Sequence, residues 1–149
     1  MNRNIFSALF GLYLIIAAAI QVFIYASGHY SISSDESART LAAYRWYSTK
    51  IIPIEVWLPM HSIILGYSLE IKKDLIASPR AVSLLFGILS IAALALLTNS
   101  LFKNKIITLT AALLNIFLPE RIILTAVPLP EIIFIFFILS GSVFFIQVD

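Results

Sequence analysis

Two acidic residues, Asp35 and Glu36, stand side by side in the polar stretch SSDESAR (residues 33–39), directly after the first long apolar run of the chain. A carboxylate held at a membrane surface can take the proton from an attacking hydroxyl or amine, which is the work of a general base. The same pair also has a simpler reading. It falls in the first turn of an expected helix, where carboxylates cap free amides and meet the positive end of the helix dipole, and Asp35 precedes Arg39 at the i,i+4 ion-pair spacing. A third carboxylate, Glu131, lies where a proline-containing loop meets an apolar run. An ionisable group beside a membrane span is a functional candidate by default, and a carboxylate opening a helix is equally natural, so both readings stay open. Arg39, Arg45 and Arg80 carry guanidinium groups, which bind phosphate through paired charge-assisted hydrogen bonds or snorkel to lipid headgroups. His61, Glu55 and His29 supply imidazole and carboxylate groups of the kind that ligate divalent ions. Glu55 and His61 are six residues apart, off the i,i+3 and i,i+4 rows of a helix face, so the spacing does not support a metal site. No cofactor is expected, and His61 reads first as a satisfied interfacial histidine. A glycine-rich phosphate loop and an EF-hand pattern are both absent.

The elements that must position these groups are membrane helices. Hydrophobic residues make up 60% of the chain and charged ones 12%, with a mean hydropathy of +0.98, outside the range of soluble domains. A formal charge of +2 with scattered bases excludes a nucleic-acid surface. Without cysteine there is no thiolate ligand, Cys nucleophile or disulfide framework. Residues 5–26 form an apolar run long enough to cross the bilayer, an anchor rather than a cleaved signal. Residues 28–50 mix charges with Tyr30, Tyr44, Trp46 and Tyr47, and Ser33 with Glu36 fits a capping box. An interfacial helix is therefore expected from about Ser34 to Lys50, ended by Pro53. Residues 54–71 are apolar but carry Glu55, Pro59, His61 and Glu70, expensive in lipid, and are read as a second surface or re-entrant helix. Residues 72–79 are expected as a loop, 81–97 as a span and 98–105 as a short polar turn. The run 106–118 is broken by Pro119-Glu-Arg121, with Glu120 and Arg121 as a charged pair at a helix end, and 132–148 is again of spanning length. Counting bases does not decide the topology, because the positive-inside rule is met differently according to whether 54–71 spans.

The order of these motifs resembles the amino-terminal part of the polytopic GT-C glycosyltransferases, which take sugars from polyprenyl-phosphate donors. The resemblance rests on Asp35-Glu36 in the first external loop, Val56-Trp-Leu-Pro-Met-His61, Ser78-Pro-Arg-Ala-Val-Ser opening the next span, and the run from Pro119 to Pro130-Glu131 heading the last one. It extends over nearly the whole chain and is similar to the mannosyltransferase and aminoarabinose-transferase branches. The chain departs from the pattern at Ala81, at Pro130 and at Leu58-Pro59.

The resemblance implies an all-α, multi-pass bundle in the plasma membrane, with about four spanning helices and two interfacial helices in the first external loop. Residues 28–80 and Glu131 then lie outside, and Arg3, Lys103 and Lys105 inside. It implies Asp35 as general base and Glu131 as the carboxylate facing it, with Glu36, Arg80 and His61 binding substrate. The implied partners are a polyprenyl-phosphate-linked sugar, a lipid or glycan acceptor, and membrane lipid. Residues 1–149 are expected to be one membrane domain, a fragment of a larger glycosyltransferase module. The competing class is a small non-catalytic membrane protein, an assembly partner or decayed remnant of such an enzyme.

Overall fold

A computed structural model of the chain describes residues 2–28, 34–52 and 59–148, with the side chains of 147 and 148 outside the description. Expectations resting on His29, Tyr30, Ser33, Pro53, Glu55 and Trp57 lie outside the described residues. Those residues are entirely helical in their regular structure: α1 (Arg3–Ala26), α2 (Ser34–Thr49), α3 (Pro59–Ile71), α4 (Ala77–Phe102), α5 (Lys105–Phe117), α6 (Pro119–Ala126) and α7 (Pro130–Val148). At 1.5 Å per residue α1 and α4 reach ~36 and ~39 Å, and both are long and apolar enough to cross a membrane. The pair α5–α6 passes the same test only when joined, with a 64° bend at the break. Two to three candidate spans result, and α7 is apolar but shorter over its described part.

Helix ends fall where local chemistry puts them. Span α4 begins before the apolar run does, because the Asp74 carboxylate accepts from the Ile76 and Ala77 amides at 3.0 and 2.8 Å. Those two bonds, with the nearby Lys72 ammonium, hold the Asp74 carboxyl below its usual range. Pro79 sits in the first turn of α4, where a missing N–H costs nothing. At the other end the helix runs on to Phe102, so the expected turn at 98–105 contracts to Lys103, in the left-handed region at φ 49°, and Asn104. Asn104 accepts from the Ile106 and Ile107 amides and starts α5. Pro119 opens α6 at the bend.

Helix α4 is the hub, packed on α1, α3, α5, α6 and α7. Its centre with α1 and α5 forms a core of Ala17, Ile91, Ala112 and Ile116. Outward, α1 exposes Ile15 and Phe23 while α7 exposes Phe134, Phe144 and Phe145, surfaces suited to lipid tails. Several buried hydroxyls are satisfied locally: Ser90, Thr98, Thr108 and Thr125 donate to carbonyls four residues back at 2.7 to 3.0 Å, and Ser78 donates to the Lys72 carbonyl before α4 at 2.7 Å.

The two short helices α2 and α3 pair with each other, and α3 rests on α4. Their contact is close because α3 carries Gly66: a Cβ there would lie 2.3 Å from Trp46 Cε3 and 3.1 Å from the Ala43 carbonyl oxygen. Gly66→Ala is expected to force the indole aside and destabilise the fold by about 1–3 kcal/mol, the usual cost of overpacking. A lowered thermal midpoint in detergent checks this; an unchanged midpoint would mean that α2 and α3 separate without cost.

Candidate functional site at the α4 amino terminus

The helix order brings the chemistry-bearing residues to one end of the bundle. Arg80, in the first turn of α4, lies with its guanidinium carbon 6.0 Å from the Tyr25 ring at the end of α1. Its Nε donates to Glu36 Oε1 at 3.0 Å, and Nη2 bonds the same oxygen. This pair joins the start of α2 to the start of α4. Both side chains are more than nine-tenths buried, which sets Arg80 apart from a cation snorkelling to headgroups.

One turn further along α2, Arg39 is also buried, and its Nη2 is 3.9 Å from Asp35 Oδ2. The i,i+4 spacing read from the sequence is therefore used, at the outer limit of an ion pair. Asp35 itself is open, with 58% of its side chain exposed. Of the two neighbouring carboxylates, Glu36 is turned inward against Arg80 and Asp35 outward. Helical geometry separates them, since adjacent residues do not share a face.

His61, at the start of α3, is buried to 4% exposure. Its ring lies against the Pro128 carbonyl just ahead of α7, and Nε2, fully buried, has no hydrogen-bond partner among the described residues. Burial first, and the Arg39 charge second, lower its pKa to about 4, so the imidazole is neutral at physiological pH. His61 and Glu131 wall one open cavity of about 430 Å³ between the starts of α3 and α7, where the other lining residues among those described are apolar: Met60, Pro130, Ile133, Phe134 and Phe137. Glu131 is exposed on the first turn of α7.

The site thus has two parts. Glu36 and Arg80 form a buried tie, and Asp35 with Arg39 flanks it; His61 and Glu131 share the cavity, and the Arg39 charge reaches His61. Among the described residues, no group of three or more His, Cys, Asp or Glu is placed to hold a metal ion.

Residues 35–149 match the family model described as dolichyl-phosphate-mannose-protein mannosyltransferase. The chain belongs to this family. The match begins at the acidic pair and runs on through α7, so that of the site residues just described only Tyr25 on α1 lies ahead of it. No curated protein matches the chain, and no solved structure does. The mannosyltransferases of this family are GT-C membrane glycosyltransferases, the class that the sequence motifs resemble.

Three participants were not legible as such in the sequence. Tyr25 under Arg80 and the Pro128 carbonyl on His61 are tertiary contacts with no motif of their own. Arg121 is a correction. Rather than pairing with Glu120 at a helix end, it turns inward from α6, is buried, and donates from Nη2 to the Gly87 carbonyl at 3.0 Å. Gly87 makes this possible, since a Cβ there would lie 2.4 Å from the Thr125 methyl and hold α6 away from α4.

Proposed function

We propose that this chain forms the amino-terminal module of a membrane mannosyltransferase that moves mannose from a polyprenyl-phosphate donor to a hydroxyl acceptor at the outer face. The supporting observation is the gathering of carboxylates, guanidinium groups and a neutral imidazole at one end of the bundle, beside an apolar-walled cavity of ligand size. In that reaction the acceptor oxygen attacks the anomeric carbon of the sugar, the bond from that carbon to the phosphate oxygen breaks, and polyprenyl phosphate leaves. Asp35, the open carboxylate, takes the acceptor proton. Arg39 and Arg80 hold positive charge at the membrane end, where the departing phosphate gathers negative charge. Glu131 faces the ligand across the cavity, and a protein hydroxyl as the acceptor is supported by the family description, which names a protein mannosyltransferase.

The test is mannosyl transfer in right-side-out vesicles carrying the chain together with any companion spans. Polyprenyl-phosphate-mannose is placed in the bilayer and a serine- or threonine-containing peptide is confined outside. Labelled mannose should appear on the outside peptide. Transfer only to acceptors sealed inside would overturn the assignment of face, and no transfer at all would favour a non-catalytic assembly partner.

A further inference from the structure

The break between α5 and α6 lies at mid-height of the bundle, and α4 gives its level. A Cβ on Gly87 would lie 2.4 Å from the Thr125 methyl. One turn earlier in α6, Arg121 donates to the Gly87 carbonyl and shares a cavity with Ser90. Ile116, near the end of α5, shares the core with Ile91. Residues 116–121 therefore sit level with residues 90 and 91 of α4, about 20 Å from its Ala77 end and about 17 Å from its Phe102 end. With α4 across the membrane, that is the middle of a hydrocarbon core ~30 Å thick.

Two features at this level call for cover. Phe117, Leu118, Pro119 and Glu120 are all exposed, and no side chain caps the start of α6. Helix ends carry free amides and carbonyls, and a break at this depth is tolerated only where protein covers it or it lines a cavity. Glu120 is also an exposed carboxylate where charge is expensive. Beside it, Arg121 is buried and makes one side-chain hydrogen bond among the described residues, to the Gly87 carbonyl. Glu120, Arg121, Asn115 and Ser90 are the polar residues lining a cavity of about 140 Å³ between α5 and α7, where Ile135 and Leu139 supply part of the apolar wall.

We propose that a further membrane-spanning helix docks in the groove between α5 and α7, over this break, and presents a side-chain amide to Glu120 and Arg121. The amide follows from the charges. Glu120 as a carboxylate only accepts hydrogen bonds, Arg121 only donates them, and together they are neutral. An incoming Lys or Asp would satisfy one of them and leave a net charge in the bilayer interior. The oxygen of an Asn or Gln side chain accepts from the guanidinium while its NH₂ donates to the carboxylate. The rest of the docking face is apolar, to match Ile135 and Leu139. This docking depends on α4 crossing the membrane and is independent of the proposed mannosyl transfer.

The test is energy transfer in lipid vesicles between the whole chain and synthetic transmembrane peptides. The chain has no cysteine, so Phe102→Cys, at the exposed end of α4, takes a single donor dye. Leucine-alanine peptides carry the acceptor dye and Asn, Leu, Lys or Asp at their centre, at densities too low for the peptides to pair with themselves. The Asn peptide should associate about tenfold more tightly than the Leu peptide, the value of one hydrogen bond, and the Lys and Asp peptides should not match it. Equal association of the Leu peptide, or of either charged peptide, overturns the proposal. In the same chain Glu120→Leu should abolish the preference for Asn and leave the unfolding midpoint of the chain alone no lower, because Glu120 is exposed. A retained preference overturns the site. A lowered midpoint overturns it too, since Glu120 would then already compensate Arg121 within the chain. Transfer between two differently labelled copies, lost in Glu120→Leu, would make a second copy the occupant in place of a partner helix.

Discussion

Arg80→Leu is expected to lower the stability of the fold by about 3–5 kcal/mol, because it leaves the Glu36 carboxylate buried with its bonded partner gone. The cost comes from the stranded charge more than from the lost attraction. Bringing two ions out of water consumes most of what their pairing returns, so the pair itself is a modest stabiliser. The double variant Glu36→Leu with Arg80→Leu, which removes both charges and fills the space with apolar atoms, should therefore recover most of the loss. Denaturant or thermal unfolding in detergent measures all three proteins. If Arg80→Leu unfolds at the wild-type midpoint, the carboxylate has another way to be solvated and the tie between α2 and α4 is not structural. If the double variant is as weak as the single one, the guanidinium matters for its packing against Tyr25 rather than for its charge.

This pair also marks where sequence reading reaches its limit. The apolar run of residues 5–26 could be assigned from length and composition alone, and α1 covers Arg3–Ala26. The helix expected from Ser34 is α2, ending at Thr49 where Lys50 turns to φ 57°. Both are legible because periodicity, capping chemistry and the bilayer's thickness act within one segment. Extending α4 to Ala77 needed Asp74 to be recognised as a cap three residues before the helix, a signal present in the sequence but overshadowed by the lysines around it. The break of the run 106–118 at Pro119-Glu-Arg121 is legible, and the chain there folds as two helices bent at Pro119, but the angle of such a bend depends on what α6 packs against.

At the site, the sequence named the groups but not their partners. Glu36 and Arg80 are 44 residues apart, and nothing local says that one carboxylate of an adjacent pair turns inward to a distant guanidinium. The same holds for His61. The motif that contains it marks a position, whereas its burial against the Pro128 carbonyl and the cavity it shares with Glu131 are supplied by tertiary structure. Residues singled out for charge proved easier to locate than residues that act through what lies opposite them.

Asp35→Asn is expected to reduce mannosyl transfer by on the order of 100-fold or more, the loss typical of a missing general base, while the protein stays inserted and folded. The geometry separates the two possible uses of this carboxylate. As a helix-capping group Asp35 lies in the first turn of α2, where its charge against the dipole is worth about 0.3–1 kcal/mol and asparagine keeps most of the shape. As an ion-pair partner it meets Arg39 at 3.9 Å with more than half of its side chain exposed, an arrangement that contributes little to stability. Neither use can account for a hundredfold change in rate, which corresponds to ~2.7 kcal/mol in the barrier. Stability and turnover should therefore part company in this variant, with the unfolding midpoint nearly unmoved and transfer all but lost. Measuring both on the same preparation decides the matter. Asp35→Asn with full transfer would leave Asp35 as a cap for α2 and move the search for the base to Glu131, the exposed carboxylate that lines the cavity.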